Sequence, residues 1–404
     1  MKYKYIILIG DGMADYPIEK LGGKTPLEVA DIPNMNLIAQ KGKLGMVRTI
    51  PHGFPPGSDI ANLSILGYDP ERYYTGRAPL EAASMGLKLG PEDVAFRCNL
   101  VTLSVRNGRA YMDDYSAEHI STEEAKEIIH EIDQKLGTNN IKFYPGVSYR
   151  HLMVWKNGQE ELSTTPPHDI SGKTIDSYLP KGKGKKQILQ LMNDSQTILE
   201  NSHINKIRIK NYKKPANSIW LWGQGKKPDM PTLSERYRIT GSVISAVDLI
   251  KGIGVCAGLE VIDVPGATGY LDTNYRGKAN YALRALEKRD LVYVHVEAPD
   301  EASHSGDLKN KLKAIERFDK EVVGTVLDKI NRFRDYRIMI LPDHSTPLSV
   351  MSHTPDPVPF AIFSSDDKGT KPSKDMGFNE KTARMNNLFI EDGYKLLPFF
   401  LRKN

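Results

Sequence analysis

The side chains best suited to chemistry in this chain are carboxylates and imidazoles that follow short apolar segments. Asp300 and His304 are four residues apart, a spacing at which one helical turn points both side chains toward a single centre. Open α/β sheets bind ligands at the carboxyl ends of their parallel strands, so residues in these positions are expected to converge. The residues concerned are Asp11, Asp300, His304, Asp343, His344 and His353.

Three carboxylates and three histidines in such positions indicate a metal centre. They are too many for one tetrahedral ion, but they suit two neighbouring ions that keep open coordination positions. Mixed carboxylate and imidazole ligands favour Mn²⁺ or Zn²⁺ over Ca²⁺. Two ions about 3.5–4 Å apart can stabilise both oxygens of an in-line phosphoryl displacement. Any one of these residues could instead be a capping or hydrogen-bonded group, but together they favour phosphoryl transfer.

A serine in a turn offers a nucleophile for that chemistry. Ser58 follows Gly57 and precedes the predicted helix Ile60–Leu66. A serine at the start of a helix is most often an N-cap. A helix N-terminus also binds phosphate well, and a metal ion can lower the pKa of a hydroxyl enough to make it a nucleophile. The sequence therefore allows Ser58 to have both roles.

The rest of the chain predicts the elements that would position these residues. Short runs rich in Ile, Val and Leu alternate with longer amphipathic stretches, a pattern typical of a mostly parallel sheet flanked by helices. Leu308–Ile330 is the clearest helix, because its apolar residues recur at three- and four-residue steps. We therefore predict an α/β fold. The strand candidates are Tyr5–Ile9, Lys43–Ile50, Ser218–Trp222, Glu260–Val264, Leu291–Val296, Tyr336–Leu341 and Pro359–Phe363.

The length of 404 residues exceeds what one hydrophobic core usually organises, which favours two domains or one domain with a large insertion. Between about residues 86 and 210 the pattern changes, with a hairpin signal at Asn107-Gly108 and a helix opened by a capping box of Ser121 and Glu124. We predict a smaller inserted α+β domain at residues 86–210. Residues 1–85 and 211–404 would then form the metal-binding domain.

Composition narrows the class of protein. Hydrophobic residues make up 40% and charged residues 26%, as in ordinary globular proteins. The net charge of +5 is spread along the chain, so no nucleic-acid partner is implied, while a small anionic substrate is compatible. Two isolated cysteines, Cys98 and Cys256, suggest neither disulfides nor a thiolate metal site and suit the cytoplasm. Tyr5–Ile9 is too short to span a membrane.

Seven motifs spread along the chain carry a family resemblance. They are Gly10–Asp15, Pro56–Leu63, Thr75–Ala82, Gly266–Tyr270, His295–His304, Leu341–His344 and Ser352–Thr354. With these motifs the chain resembles the 2,3-bisphosphoglycerate-independent phosphoglycerate mutases, especially the short archaeal type, within the alkaline phosphatase superfamily. The resemblance implies an alkaline-phosphatase-like sheet, and it assigns the insertion as the phosphotransferase and substrate domain.

The resemblance also implies a reaction and a ligand set. The enzyme would interconvert 3-phosphoglycerate and 2-phosphoglycerate in glycolysis and gluconeogenesis through a phosphoserine, without 2,3-bisphosphoglycerate. Mn²⁺ would be the expected metal, with Zn²⁺, Co²⁺ or Mg²⁺ as alternatives. Ser58 would be the nucleophile. One ion would be held by Asp11, Ser58, Asp343 and His344, and the other by Asp300, His304 and His353.

Substrate contacts are predicted from basic and titratable side chains, each of which could also be a surface or capping group. Arginine suits bidentate recognition of phosphate and carboxylate groups. His168 or Asp169 would exchange protons with the substrate hydroxyls, and Lys214 would stabilise the transferring phosphoryl group. The remaining candidates for binding the phosphate and carboxylate are Arg150, His151, Arg276 and Lys278.

Three other functions compete with the mutase interpretation. The short branch also resembles proteins proposed as homoserine kinases of threonine biosynthesis, and the metal motifs do not separate the two. A metal-dependent phosphatase or phosphodiesterase of the same superfamily would use a similar centre. A non-catalytic binding protein is disfavoured, because none of the seven predicted ligand and nucleophile positions is missing from the sequence.

Overall fold

The computed structural model describes residues 3–369, 373 and 376–402. In chain order, the strands of the described residues are β1 (Lys4–Gly10), β2 (Lys43–Val47), β3 (Val94–Arg106), β4 (Arg109–Asp114), β5 (Ile141–Val147), β6 (Arg150–Trp155), β7 (Leu162–Ser163), β8 (Lys181–Gly182), β9 (Ser218–Lys226), β10 (Gly241–Ile244), β11 (Glu260–Val261), β12 (Leu291–Val296), β13 (Tyr336–Leu341), β14 (Val358–Ser364) and β15 (Phe389–Ile390).

The helices of the same residues are α1 (Pro26–Val29), α2 (Pro33–Lys41), α3 (Ser58–Ile65), α4 (Pro70–Tyr73), α5 (Arg77–Ser84), α6 (Thr122–Leu136), α7 (Lys185–Glu200), α8 (His203–Lys210), α9 (Leu233–Tyr237), α10 (Asp248–Cys256), α11 (Tyr275–Ala285), α12 (Ala298–His304), α13 (Leu308–Arg317), α14 (Gly324–Ile330), α15 (Glu380–Met385) and α16 (Leu396–Leu401).

The chain divides into two compact units. Unit 1 comprises Met1–Tyr74 and Met230–Asn404, and unit 2 comprises Thr75–Asp229. Unit 2 therefore begins before and ends after the predicted insertion at residues 86–210. The reason lies in α5 and β9, because β9 pairs with β3 and the α5 residues Ala78 and Ala82 pack in a small cluster with Ala95 of β3. Neither element can be assigned to unit 1.

Unit 1 is built on an eight-stranded sheet in the order β11-β10-β12-β1-β13-β14-β2-β15. The strands from β11 to β13 pair in parallel, whereas β14 runs antiparallel to both β13 and β2. Every strand candidate from the sequence contains a strand, so the mostly parallel α/β fold is confirmed. One assignment was wrong: Ser218–Trp222 belongs to β9, in the antiparallel sheet of unit 2.

The predicted helix Leu308–Ile330 is a continuous helical segment that flanks this sheet. Its middle, Phe318–Val323, is π-helical, and α13 and α14 lie on either side of it. Its buried face carries Ile315, Phe318 and Val326, which join the core beneath the sheet. A face with such spacing buries apolar surface along the whole segment, which stabilises unit 1.

Lys311 is a charged exception on the buried face of α13. Its ammonium group is fully buried, contacts the Asp15 carboxylate at 2.8 Å and donates a hydrogen bond to the Thr346 carbonyl at 3.0 Å. Removing one partner of a buried ion pair leaves the other charge without compensation, so Lys311→Met should lower the free energy of unfolding by about 3 kcal/mol. Urea denaturation with a chelator present would measure this loss.

The double variant Lys311→Met/Asp15→Asn serves as the control, because it removes both charges of the pair. It should unfold at a higher urea concentration than Lys311→Met alone. Equal stability of Lys311→Met and the unmodified chain would contradict the assigned role of the pair.

Unit 2 has an antiparallel sheet in the order β4-β3-β6-β5, with β9 on β3. Asn107 and Gly108 both have positive φ and connect β3 to β4, as the hairpin signal predicted. Ser121 and Glu124 form the predicted capping box at the start of α6. Helices α6 and α7 contribute Ile128, Ile132 and other apolar residues to the core of this unit. In the described part of the chain, every helix is too short or too polar to cross a bilayer.

Candidate active site

The carboxyl ends of three neighbouring strands position most of the candidate residues. Strand β1 lies between β12 and β13, with Ile9 in register with His295 on one side and Leu341 on the other. Asp11 directly follows β1, Asp300 lies in α12 just after β12, and Asp343 with His344 follows β13. The loop after β13 returns through an antiparallel bridge between Ser345 and Thr354, which places His353 beside α12.

One group of ligand atoms centres on Asp300. Its Oδ2 atom lies 3.1 Å from Nε2 of His304 and 3.5 Å from Nε2 of His353, and the two Nε2 atoms are 2.9 Å apart. Nδ1 of His304 lies 3.0 Å from the carbonyl oxygen of Met351, so the ring can donate there and leave Nε2 for a metal ion. Three converging donors of this kind suit a transition-metal ion.

A second group surrounds His344. Its Nε2 atom lies 3.4 Å from Oδ1 of Asp11, 3.5 Å from Oδ2 of Asp343 and 3.0 Å from Oγ of Ser58. Ligand atoms of Asp11, Asp300 and His344 lie within 4.8 Å of one another, so the two groups are adjacent. The structure thus brings the seven predicted ligand residues close together, with Asp300 near residues of both groups.

Ser58 is the first residue of α3 and not its N-cap. The N-cap is Gly57, and no side chain caps this helix. The alternative in which Ser58 caps the helix was therefore wrong, and its hydroxyl points to His344. One turn later, the Asn62 amide donates hydrogen bonds to the Ser58 carbonyl and to Oδ2 of Asp343, both at 2.7 Å. This amide ties the serine to a carboxylate of the metal group.

The buried carboxylates of the site need a cation. Burial, together with the charges of Asp343 and Asp300, raises the pKa of Asp11 well above its ordinary value. Burial also raises the pKa of Asp300, but hydrogen bonds from His304 and His353 outweigh it and bring that pKa well below the usual range. Among the described residues, Oδ1 of Asp11 is buried without a hydrogen-bond partner. A divalent ion would compensate these charges, so the residues fit a metal centre.

The electrostatics of His344 also suit metal binding. Burial lowers its pKa to about 4, which leaves the imidazole neutral near pH 7. The neutral imidazole is the form that coordinates a metal ion. Metal removal would therefore leave this ring uncharged beside two carboxylates.

Contrary to the prediction from the sequence, Lys278 does not lie where it could contact a substrate. Its side chain is fully buried, and its ammonium group contacts the Glu297 carboxylate at 2.7 Å and the carbonyl of His295 at 2.9 Å. This contradicts a direct contact between Lys278 and the substrate. The physical reason is that Glu297, buried at the end of β12, requires a positive partner. Arg276 is exposed on the first turn of α11, and its role stays a prediction.

Two more of the predicted contacts have local partners within unit 2. Lys214 pairs with Asp113 at 2.8 Å and lies 4.0 Å from Asp114, so its charge is already compensated by two carboxylates. His151 is buried within the sheet, where its Nδ1 atom accepts a hydrogen bond from the Gly146 amide and burial lowers its pKa to about 3. Its surroundings are those of a structural residue of the sheet.

The other predicted contacts of unit 2 belong to a cationic and aromatic cluster. The guanidinium group of Arg97 lies 4.3 Å from the ring centre of Trp222, and the His168 ring packs against the same indole at 5.5 Å. Burial and the nearby charges of Arg77 and Arg150 lower the pKa of Arg97, while Glu81 opposes the shift. Asp169 follows His168 and lies 3.6 Å from its ring.

Sequence reasoning missed two arginines of this cluster, Arg77 and Arg97. Arg97 could have been found as the charged residue within the apolar run that starts at Val94, since an arginine there must have a specific partner. Arg77 lies in the Thr75–Ala82 motif but was not singled out. The charges of both arginines act on His168, and Arg97 is paired with Glu81 at 3.1 Å.

Comparisons with known proteins agree along the whole chain. Residues 39–205 match the family described as 2,3-bisphosphoglycerate-independent phosphoglycerate mutase. A Geobacter sulfurreducens protein named as a probable enzyme of that type is 55% identical, with 98% of this chain and 99% of the relative covered. A Methanosarcina barkeri protein with the same enzyme name is 54% identical, with 99% of each chain covered.

Two solved structures are also similar. A Pyrococcus horikoshii protein has a TM-score of 0.83 and 32% identity, with 100% of this chain and 99% of that chain covered. The cofactor-independent phosphoglycerate mutase of Thermoplasma acidophilum has a TM-score of 0.67 and 26% identity, with 99% of both chains covered. The chain belongs to the family of 2,3-bisphosphoglycerate-independent phosphoglycerate mutases, which are isomerases.

Proposed function

We propose that this protein interconverts 3-phosphoglycerate and 2-phosphoglycerate through a phosphoserine at Ser58, with two divalent metal ions, Mn²⁺ being the expected metal. The observation that carries the proposal is the position of the Ser58 hydroxyl. It lies 3.0 Å from Nε2 of His344, at the N-terminus of α3 and within a group of buried carboxylates and imidazoles. A phosphoryl group on Ser58 would have the first amides of α3 beside it.

The metal ions would supply charge. When bound, they would lower the pKa of the serine hydroxyl and neutralise charge on the transferring phosphoryl group. Asp11, Ser58, Asp343 and His344 would hold one ion, and Asp300, His304 and His353 would hold the other. The Asn62 amide fixes the backbone of Ser58 relative to Asp343 and so limits the directions in which the hydroxyl can point.

The protein would act in two transfers. The Ser58 hydroxyl loses its proton and its oxygen attacks phosphorus of 3-phosphoglycerate, the bond from phosphorus to the substrate oxygen breaks, and that 3-oxygen of glycerate takes up a proton. The 2-hydroxyl then loses its proton and its oxygen attacks the phosphoserine, the bond from phosphorus to the Ser58 oxygen breaks, and that oxygen takes up a proton as 2-phosphoglycerate is released. His168 or Asp169 would exchange these protons with the substrate hydroxyls.

The cationic cluster of unit 2 would bind the anionic groups of the substrate. Arg150 is exposed, and its charge acts on Arg97. Charge-assisted hydrogen bonds to a carboxylate or phosphate contribute about 1.5–3 kcal/mol, so Arg150→Met should raise KM for 3-phosphoglycerate by roughly 10- to 100-fold. Steady-state kinetics would measure the change.

Arg106→Met is the matched control for that variant. Arg106 is an exposed arginine at the far end of β3, where it pairs with Asp113. Its replacement should leave KM unchanged. If the KM for Arg150→Met equalled that of the control, Arg150 would not be a substrate-binding residue.

The decisive experiment is incubation with 3-phosphoglycerate and Mn²⁺ in the absence of 2,3-bisphosphoglycerate. Formation of 2-phosphoglycerate, followed by ³¹P NMR, supports the proposal. Release of inorganic phosphate without isomerisation would show that the protein is a phosphatase and not a mutase. Absence of 2-phosphoglycerate combined with phosphorylation of homoserine by ATP would replace the proposal with the kinase function.

A further inference from the structure

Glu297 is a buried carboxylate with no assigned role in the proposed reaction. It lies directly after β12, where Lys278 of α11 contacts Oε2 at 2.7 Å. Its Oε1 atom accepts hydrogen bonds from the Ser245 hydroxyl at 2.7 Å and from the Ala246 amide at 2.8 Å. These contacts from two other elements hold the carboxylate in one orientation, which suits a group that must orient a third side chain.

That third side chain is His295, whose ring is completely buried. Nδ1 of His295 lies 3.3 Å from Oε1 of Glu297. On the other side of the ring, Nε2 lies 3.5 Å from Oδ2 of Asp11 and 3.6 Å from Oδ2 of Asp343. The ring therefore lies between Glu297 and the two carboxylates, Asp11 and Asp343, that would hold the first ion. In the described structure both of its nitrogens are buried without a hydrogen-bond partner, so these carboxylate oxygens are the polar groups that face them.

The two oxygens of Asp11 face different groups. Oδ2 faces His295, whereas Oδ1 faces the predicted ligand His344 at 3.4 Å. With the imidazole beside one of its oxygens, Asp11 turns the other oxygen toward His344, where an ion would bind. Partners of this kind behind the ligands typically change metal affinity by about 10- to 100-fold when they are removed.

We propose that Lys278, Glu297 and His295 form a buried chain of positioning residues that orients Asp11 and Asp343 for metal binding. Lys278 pairs with Glu297, Glu297 lies beside one nitrogen of the imidazole ring, and the other nitrogen lies beside the two carboxylates. This inference rests on the proposed two-metal centre. It gives the buried pair of Lys278 and Glu297 a positioning role. The pair would act through the metal ligands and would not contact the substrate.

The test is Mn²⁺ titration of the metal-free full-length chain by isothermal calorimetry. The double variant Lys278→Met/Glu297→Gln removes both charges of the buried pair, so no unpaired charge is left to unfold the chain. It should remain folded by circular dichroism and bind Mn²⁺ about 10- to 100-fold more weakly. Unchanged affinity in this folded variant would overturn the proposal.

His295 supplies a second readout. His295→Gln keeps a nitrogen that can donate to the two carboxylates, whereas His295→Leu does not. The glutamine variant should therefore bind Mn²⁺ more tightly than the leucine variant. Equal affinities would contradict a positioning role, and loss of one ion from the stoichiometry in both variants would make His295 a ligand instead.

Asp290→Asn is the matched control, because Asp290 is a buried carboxylate at the opposite end of β12. It accepts hydrogen bonds from the amide and hydroxyl of Thr240 at 3.0 and 3.2 Å. Its replacement should leave Mn²⁺ affinity unchanged. If the unmodified chain bound fewer than two ions, the two-metal proposal itself would fail, which is distinguishable from a failure of the positioning chain.

Discussion

Replacement of Ser58 by alanine should lower kcat for the interconversion of the phosphoglycerates by about 10⁴-fold or more. Removing the nucleophile of a covalent mechanism leaves only the contributions of binding and electrostatics. The hydroxyl of Ser58 lies 3.0 Å from Nε2 of His344 and does not cap α3, so no helix cap is lost with it. Mass spectrometry of the peptide that contains residue 58 should detect phosphoserine in the unmodified protein and none in the variant.

Ser64→Ala is the control for this prediction. Ser64 is a buried serine in the same helix. Its replacement should leave kcat within a few-fold of the unmodified protein, and phosphoserine should still form at Ser58. Full activity of Ser58→Ala would show that another group accepts the phosphoryl group, and the proposed mechanism would have to be abandoned.

Replacement of Asp300 by asparagine should leave one Mn²⁺ per chain where the unmodified protein binds two. Oδ2 of Asp300 is the atom that both His304 and His353 approach, at 3.1 and 3.5 Å. A neutral amide is a much weaker ligand, and the isomerase activity should fall by about 10³-fold or more because one ion of the pair is missing. Metal analysis after gel filtration gives the stoichiometry.

Metal binding should also raise the thermal stability of the folded chain. An ion present at about 100 times its Kd stabilises the folded chain by about 2.7 kcal/mol, so added Mn²⁺ should raise Tm less in Asp300→Asn than in the unmodified protein. Asp307→Asn is the control, because Asp307 caps α13 and asparagine caps a helix equally well. Two ions retained by Asp300→Asn would remove Asp300 from the ligand set.

The sequence could predict the centre of the sheet and the convergence of the candidate ligands at its edge. Strands β1, β12 and β13 are buried on both faces, so each appears in the sequence as a mostly apolar run, and a candidate ligand follows each of them. Adjacent parallel strands then bring Asp11, Asp300 and Asp343 to one edge of the sheet. The convergence follows from topology and needs no side-chain detail.

The roles of individual charged residues could not be predicted in the same way. Lys278 and Lys311 are single lysines on amphipathic helices, where solvent exposure is the common outcome for this residue type. Each is buried because a carboxylate from outside its own helix lies opposite, Glu297 in one case and Asp15 in the other. Pairings of this kind depend on tertiary contacts that local patterns do not report.

The boundaries of unit 2 could not be predicted from the sequence for a related reason. Strand β9 has the same composition as a buried parallel strand, but it pairs antiparallel with β3, more than one hundred residues earlier in the chain. Composition indicates that a strand is buried, and its partner is decided by the fold as a whole. Helix α5 belongs to unit 2 because it packs against β3 and β9.

The insertion of unit 2 between Tyr74 and Met230 has a consequence for protein synthesis. Strand β1 is synthesised before unit 2, yet both of its neighbours in the sheet, β12 and β13, are made after unit 2 is complete. Unit 2 is continuous and can fold while translation proceeds, whereas the apolar β1 must wait for its partners. Nascent chains of this protein should therefore depend on chaperones that shield β1 until β12 and β13 have been made.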